Sequence, residues 1–208
     1  MNSKISLVLA IVATVIMTSC GDKKSSTETT TTEEASTAVA ASYTVDKAAS
    51  TVAWSGEVAG VYGHNGVIEI AEGTITTAGD SISGGTVVID MTTIQPLDSA
   101  SYSEEHPASD LVAHLSTEDF FKVEENPTST FVIKSQEGSE LVGDLTVRGI
   151  TKEEKATIKS LVVTPEGLTA SAELVFDRQD YEVSWVHYME DMILSDDITI
   201  KLDIVAKP

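Results

Sequence analysis

Apolar and polar residues alternate along much of the chain from about residue 51 onwards. Seven segments share this period of two: 51–58, 66–70, 86–91, 130–134, 141–148, 168–177 and 198–206. A period of two is typical of half-buried β-strands that turn one apolar face to a core. Turn residues separate the segments, among them Asn65-Gly66, Gly79-Asp80 and Glu137-Gly138. Because no helical segment recurs between the strands, the pattern favours an antiparallel barrel or sandwich over a parallel βαβ sheet.

One segment departs from this alternation. At 106–116, apolar residues recur at helical spacing and Pro107 occupies a plausible first turn, so we predict a short helix there. Ser116-Thr-Glu-Asp119 resembles a capping box that would begin a second short turn. Phe120 and Phe121 follow, and they would either close one end of a barrel or fill the core from a long connection.

The first 42 residues do not contribute to this pattern. Residues 1–19 resemble a lipoprotein signal peptide: Lys4 lies in a short positive start, the apolar run 5–17 is too short to span a bilayer, and Cys20 follows. We expect Cys20 to be lipidated; an ordinary secretory signal with an incidental cysteine is the alternative. Residues 21–42 contain no Leu, Ile, Met or aromatic residue and predict a disordered tether. The expected division is therefore leader at 1–19, lipidated cysteine and tether at 20–42, and barrel domain at 43–208.

Charge excludes several classes of partner. The chain has 33 acidic and 13 basic residues, a formal net charge of −20. Nucleic-acid binding and docking on an anionic membrane through a basic face both need clustered Lys and Arg, so we expect neither. Membrane attachment would rest on Cys20. Gly21 follows it in place of Asp, which by analogy with Gram-negative lipoprotein sorting favours the outer membrane, with the periplasmic or the surface face left open. The oligomeric state is not readable from the sequence.

Several motifs together carry a resemblance to a known family. The two most specific are the Asp-Phe-Phe, Asn-Pro-Thr and Thr-Phe run within 114–131 and Gly-Asp-Leu-Thr-Val-Arg-Gly-Ile-Thr-Lys at 143–152. With Gly-His-Asn-Gly at 63–66 and the stretches 84–94 and 197–202, they make the domain resemble the YceI family of lipid- and polyisoprenoid-binding proteins. The resemblance implies an antiparallel, lipocalin-like β-barrel of about eight strands, with one or two short helices in a connection. Its apolar interior would hold a long isoprenoid chain in a secreted or periplasmic protein.

Candidate ligand-binding residues follow from the inward faces of this barrel. They are Trp54, Ile68, Ile70, Ile89, Phe120, Phe131, Leu145, Phe176 and Arg178. Arg178 continues the inward alternation of its strand, and there it would either anchor a polar ligand head or form an ion pair with an inward carboxylate. Small inward residues such as Gly143 would either make room for the ligand or permit tight packing. Because residues 43–208 carry a net charge of −19 (29 acidic, 10 basic), we expect a neutral or weakly charged head and not a pyrophosphate.

Known catalytic motifs are missing from the sequence: there is no G-x-S-x-G elbow, phosphate-binding loop, dinucleotide fingerprint or H-E-x-x-H helix. We therefore predict a membrane-anchored envelope lipoprotein that binds an isoprenoid lipid or a quinone-like molecule, without a cofactor, a metal or enzymatic activity. Two alternatives stay open. An enzyme could use carboxylates and a histidine at the barrel mouth, since His64, His106, His114 and His187 lie among many acids. The domain could also be a ligand-free structural part of the envelope.

Overall fold

The computed structural model describes residues 40–58, 62–186 and 193–208. The predicted leader, the lipidation site at Cys20 and the tether up to residue 39 lie outside the described residues. The described chain begins with a strand at Ala40, slightly ahead of the expected domain start at Tyr43. No helix in this described part is both long and apolar enough to cross a bilayer.

Strands make up most of the described residues. They are β1 (Ala40–Val45), β2 (Thr51–Val58), β3 (Tyr62–Ala78), β4 (Ser81–Pro96), β5 (Thr128–Glu137), β6 (Glu140–Val147), β7 (Ile150–Thr164), β8 (Gly167–Asp177) and β9 (Leu194–Lys207). One α-helix, α1, spans Ala108–Ser116, and short 3₁₀ helices span Ser99–Ser101 and Arg178–Tyr181. Alternation did not identify β1 or β7. In β7 the run Lys152-Glu-Glu-Lys155 hides the inward face, because charged side chains occupy both parities at the strand's start.

The strands close into a barrel. The sheet order β3-β2-β9-β8-β7-β6-β5-β4 ends where β4 pairs again with β3, and every pairing is antiparallel. β1 pairs with β3 and with β9, the two strands that also flank β2. β1 and β2 therefore share one position, which gives the barrel eight positions in all. The predicted all-β, antiparallel, lipocalin-like barrel with a short helix is confirmed.

The two ends of the barrel differ. The turns β3–β4, β5–β6 and β7–β8 lie at one end, which we call the hairpin end. The β4–β5 connection with α1, the β6–β7 turn and the β8–β9 connection lie at the other, which we call the helix end. The two long connections, β4–β5 and β8–β9, are both at the helix end, and long connections on a rigid scaffold are where binding residues concentrate.

Side chains fill the hairpin end. Tyr43, Ile75, Ile82, Leu168 and Ala206 are all buried there, and this part of the barrel is packed like an ordinary core. A bulge in β3 between Ile70 and Glu72 switches the inward positions from even to odd numbers, which brings Ile75 inward. The interior is therefore closed at one end by packing and not by a separate lid.

The helix forms where its spacing predicted it. Leu115 is buried and Leu111 is partly buried against the same core, as expected for the apolar side of an amphipathic helix. The predicted capping box after it does not form. The Ser116 hydroxyl donates back to the Val112 carbonyl at 2.7 Å, and the Thr117 hydroxyl donates to the His114 carbonyl at 2.7 Å. These bonds end α1, and the chain continues as turns through Phe120 and Phe121.

Candidate functional site

A cavity of about 430 Å³ occupies the barrel interior towards the helix end. Its walls come from all the strands from β2 to β9, and α1 with the residues after it covers one side. Most of the lining side chains are aliphatic or aromatic, with a few polar groups near the helix end. A volume of this size, apolar walls and few polar groups are typical of small-molecule sites.

Most of the predicted ligand-binding residues lie on this cavity wall. Those that line it are Trp54, Ile68, Ile89, Phe120, Phe131, Leu145 and Phe176. Trp54 lies on the inner face as its parity predicted, and its indole N–H donates to the Val67 carbonyl at 3.2 Å. The indole also covers Gly66, since a Cβ there would lie 2.6 Å from Trp54 Cζ2. Contact of these residues with a ligand stays a prediction.

Two expectations about the wall are revised by the structure. Ile70 is buried, but it lies one inward position nearer the hairpin end than Ile68 and belongs to the packed core, not to the cavity lining. Gly143 does not make room for a ligand. A Cβ at Gly143 would lie 2.8 Å from the Phe131 ring and 2.5 Å from the Val132 carbonyl, so its small size permits tight packing.

Aromatic rings form the wall on the helix side. The ring of His114, from α1, lies edge-on to Phe120 and to Trp185, with centroid separations of 4.9 Å in each case. Phe120 also packs against Phe121. The two phenylalanines therefore cover the helix end of the cavity, as the first of the two sequence interpretations had it. Trp185, from the β8–β9 connection, was not anticipated as part of the wall.

Arg178 lies outside the cavity lining. The alternation of β8 ends at Asp177, and a 3₁₀ helix carries Arg178 beneath the β8–β9 connection, where it is only 3% exposed. Its guanidinium donates to the carbonyls of Val183, Trp185 (3.2 Å) and Ser195 (3.0 Å). It also pairs with Asp196 at 3.0 Å. Burial lowers the pKa of Arg178, and the neighbouring Asp196 and Asp177 oppose that effect.

This arrangement is closer to the ion-pair interpretation of Arg178 than to a ligand anchor, although the partner carboxylate of Asp196 is exposed and not inward, and the other partners are backbone carbonyls. Nη1 holds the connection that carries Trp185 into the wall, while Nε and Nη2 bond Ser195 and Asp196 at the start of β9, so the guanidinium ties that connection to the strand after it. Arg178 acts on the cavity through the backbone it fixes, and its predicted role as a head-group anchor is not supported by its position.

Arg148 also differs from expectation. Its parity in the alternating segment 141–148, opposite to that of Leu145 and Val147, predicts a solvent-facing side chain. In the structure it lies in the β6–β7 turn with φ of 52°, and its side chain is only 13% exposed. One of its guanidinium nitrogens donates to the Glu118 carbonyl at 2.7 Å, after α1, and another lies 3.4 Å from Glu182. The positive φ turns the side chain across the barrel end, where it joins the two long connections.

A polar cluster lies on the cavity wall at the helix end. His64 shares the inward face of β3 with Ile68 and lines the cavity. Its Nδ1 lies 2.7 Å from Asp98 Oδ2, and the Tyr102 hydroxyl donates to Asp98 Oδ1 at 2.8 Å. The backbone sets this geometry, because the N–H of Leu97 donates to the Asn65 carbonyl and holds the start of the β4–β5 connection beside β3.

The cluster keeps Asp98 ionised. Burial alone would raise the pKa of Asp98, whose side chain is 9% exposed. Hydrogen bonds from His64, Tyr102 and Ser101 outweigh burial and hold that pKa below its ordinary value. Burial and the bond to the carboxylate raise the pKa of Tyr102, so its hydroxyl keeps its proton. The arrangement is a histidine oriented by a buried carboxylate.

Sequence reasoning named His64 but not its partners. Asp98 and Tyr102 follow β4 in a connection without periodicity, and they lie 34 and 38 positions from His64 in the sequence. The length of that connection was the one signal that could have pointed to them, since a link of about thirty residues between two strands of a barrel is often functional.

Comparison with known structures supports the same architecture. The family model described as YceI-like domain matches residues 43–206. The crystal structure of BcnA from Burkholderia cenocepacia superposes with a TM-score of 0.59 at 18% identity, over 78% of this chain and 99% of that one. A polyisoprenoid binding domain from Saccharophagus degradans, implicated in plant cell wall breakdown, gives 0.55 at 8% identity, over 79% and 97%. At these identities the two structures show a shared fold.

Curated relatives match a shorter region. A UPF0312 protein of Staphylococcus aureus (strain USA300) is 54% identical over 41 residues, which is 20% of this chain and 24% of that protein. The match thus spans about a quarter of the relative's length.

Proposed function

Because the chain belongs to the family of YceI-like domains, we propose that its barrel binds a long apolar ligand, an isoprenoid lipid or a quinone-like molecule. The observation that carries this proposal is the apolar cavity at the helix end of a barrel whose hairpin end is already filled. Burying a hydrocarbon chain against such walls is worth about 0.8 kcal/mol per CH₂ before association costs. The structural neighbour from Saccharophagus degradans, described as a polyisoprenoid binding domain, supports the choice of ligand class.

The proposal includes a place in the cell. We infer a lipoprotein of the cell envelope, anchored through Cys20 and favouring the outer membrane, on the sequence of the leader and of the polar segment behind it. The strongly acidic domain would not dock on anionic lipid by itself, so an acyl anchor is the attachment that its charge permits. The segment 21–42 would hold the barrel off the membrane surface.

A second candidate is acid–base catalysis at the cavity wall, and the His64–Asp98 pair is the observation in its favour. Nucleophilic catalysis needs a hydroxyl or thiol within hydrogen-bond reach of the histidine. Within the part of the chain that the structure describes, the hydroxyl within reach of His64 is that of Tyr102. It donates its proton to Asp98 and lies beside Nδ1, the ring nitrogen that already faces Asp98, so His64 does not activate it. The oriented histidine is therefore better explained as a polar contact in a binding site than as a catalytic base. A ligand-free structural domain is the third possibility, and it would leave the cavity empty.

Lipid analysis of the purified protein tests the proposal. The full-length chain is expressed with its own leader, purified in mild detergent and examined by native mass spectrometry. Organic extracts of the same sample are then analysed by liquid chromatography and mass spectrometry. We expect close to one lipid per chain, with the fragmentation of an isoprenoid or a prenylated quinone. Protein that carries no lipid, and that does not take up an added prenol, would contradict the proposal.

A matched pair of variants makes the test specific for the cavity. Val87→Phe places extra volume on the cavity wall, whereas Val162→Phe makes the same change at an exposed position on β7, where the side chain is 55% exposed. We expect Val87→Phe to reduce bound lipid several-fold and Val162→Phe to leave it unchanged. Thermal melts of both proteins check that each still folds, because overpacking alone costs about 1–3 kcal/mol.

A further inference from the structure

His64 places a ring nitrogen of β3 on a largely apolar cavity wall, and its partners determine what that ring can recognise. Asp98 Oδ2 lies 2.7 Å from Nδ1, and the Tyr102 oxygen lies 3.2 Å from the same nitrogen. The His64 and Tyr102 rings stack, with centroids 5.7 Å apart and planes 13° apart. Tyr102 therefore covers one face of the His64 ring, and Asp98 binds one of its two nitrogens.

These contacts assign the proton positions in the cluster. The Tyr102 hydroxyl has one proton, which it donates to Asp98 Oδ1 at 2.8 Å. An unprotonated Nδ1 would place its lone pair 2.7 Å from a carboxylate oxygen, which is repulsive. Nδ1 therefore carries a hydrogen and donates it to Asp98. In the neutral ring the other nitrogen, Nε2, has a lone pair and no hydrogen, so it is an acceptor.

Nε2 is the part of the cluster that remains for a ligand. Among residues 40–58, 62–186 and 193–208, no side chain or backbone group hydrogen-bonds to it. We propose that Nε2 of His64 accepts a hydrogen bond from a hydroxyl group at the polar end of the bound ligand. This inference rests on the proposed function and narrows it: the ligand is a long apolar molecule that ends in an O–H donor, such as a prenol, a prenylated phenol or a quinol.

The same geometry disfavours other head groups. A carbonyl or ether oxygen has no proton to offer an acceptor nitrogen, so it would face Nε2 lone pair to lone pair. A phosphate would bring negative charge towards Asp98, and Glu57 also lines the cavity. Arg178, the inward cation expected from the sequence, is committed to backbone carbonyls and Asp196. Asp98 and Tyr102 act as positioning residues, since they set the tautomer of His64 without lining the cavity themselves.

Three matched probes test the hydroxyl preference: geranylgeraniol, its methyl ether and the corresponding aldehyde. Binding to the full chain is measured in mildly alkaline buffer, because the proposed acceptor is the lone pair of a neutral ring. The readout is the fluorescence of Trp54 and Trp185, both of which line the cavity. We expect the wild type to bind the alcohol roughly ten-fold more tightly than the ether or the aldehyde. A difference of this size corresponds to one hydrogen bond that only the alcohol can donate.

Variants separate recognition from packing. His64→Phe keeps an aromatic ring beside Tyr102 and removes both nitrogens, so the alcohol should fall to the affinity of the ether while the ether changes little. His114→Phe is the control, because His114 also lines the cavity and packs against aromatic rings. It should alter all three affinities alike. If His64→Phe weakens the ether as much as the alcohol, His64 contributes packing and the assignment is wrong.

Asp98→Asn tests the tautomer of His64, because a purely structural role of Asp98 would not change which of the probes is preferred. The Tyr102 hydroxyl needs an acceptor, so the amide oxygen takes its place towards Tyr102 and the amide nitrogen faces Nδ1. The ring then carries its hydrogen on Nε2 and becomes a donor towards the cavity. We expect the preference to shift from the alcohol to the aldehyde. An unchanged alcohol-to-aldehyde ratio in a folded Asp98→Asn protein overturns the assignment, and failure of the wild type to bind any of the three probes overturns the proposed function itself.

Discussion

The hydroxyl of Tyr43, on β1, donates a hydrogen bond of 3.1 Å to the backbone carbonyl of Thr164, at the end of β7. β9 and β8 separate β1 from β7 in the sheet, so this bond runs across the barrel and not along it. The ring itself is buried beneath the hairpin end. Tyr43 therefore links β1 to the end of β7 at the packed hairpin end, opposite the cavity.

Removing this hydroxyl should lower stability without affecting the cavity. Tyr43→Phe removes the side-chain donor to the Thr164 carbonyl, and we expect the free energy of unfolding to fall by about 1 kcal/mol. Urea denaturation measures the change. Tyr62→Phe is the control, because Tyr62 is 41% exposed and the change should stay within about 0.5 kcal/mol. An equal loss in both variants would show that the Tyr43 bond contributes nothing specific.

Gly66→Ala should displace Trp54 from the cavity wall. A Cβ at this position would lie 2.1 Å from the Gln95 carbonyl and 2.6 Å from the indole, and neither the backbone nor the ring can yield cheaply. We expect a loss of about 2–3 kcal/mol or more, by the mechanism of overpacking. In a Trp185→Phe background, the emission of Trp54 should move to longer wavelength. Gly56→Ala is the control, since its Cβ would meet only Ile198 Cδ1 at 3.2 Å.

Arg178→Met should loosen the β8–β9 connection. The substitution leaves the carbonyls of Val183, Trp185 and Ser195 without their donor, and we expect a cost of roughly 2–4 kcal/mol. Limited proteolysis should then cut more readily between residues 178 and 186. Lys207→Met removes an ion pair with Asp46 that lies on the surface, and it should change stability little. Chain binding should survive Arg178→Met if the fold does, since Arg178 is not part of the cavity lining.

Asp98 should make stability depend on pH in the acid range. Its pKa is lowered in the folded state relative to the unfolded chain. A carboxyl with a depressed folded pKa contributes stability above its unfolded pKa, of about 4, and loses it as pH falls through the folded value. Urea midpoints measured from neutral pH downwards should therefore fall more steeply for the wild type than for Asp98→Asn. Parallel curves would mean that Asp98 gains nothing from its partners.

Cys20→Ser tests the anchor. We expect the substitution to move the protein from the membrane pellet to the soluble fraction, because an acyl-modified Cys20 is the expected attachment. Fractionation with immunoblotting measures the distribution. Wild-type protein labelled with a palmitate analogue is the control, and its label should be lost in the variant. A Cys20→Ser protein that stays in the pellet with its leader removed would contradict lipid anchoring.

Period-two alternation was enough to predict an antiparallel barrel or sandwich, which the family resemblance narrowed to a barrel, and helical spacing was enough to place α1. Both patterns are local, since a strand or helix shows its buried face in consecutive residues. The pattern failed where local composition obscures that face. The charged start of β7 hid a strand, and the β3 bulge moved Ile75 onto the inner face.

For the candidate site, the sequence by itself determined the apolar wall, because inward parity is readable for Trp54, Ile89 and Phe131 alike. Only the tertiary structure decided which apolar residues face open space and which are packed. Gly143 is crowded by Phe131 and Val132 on the paired strand β5, and Ile70 lies deeper towards the packed end, and neither fact can be read from the residue's own strand. The polar end of the site depends on tertiary structure in the same way. His64 and Asp98 lie close together because β3 is paired with the end of β4, where the connection that carries Asp98 begins. The path of that connection cannot be read from the types of the two residues.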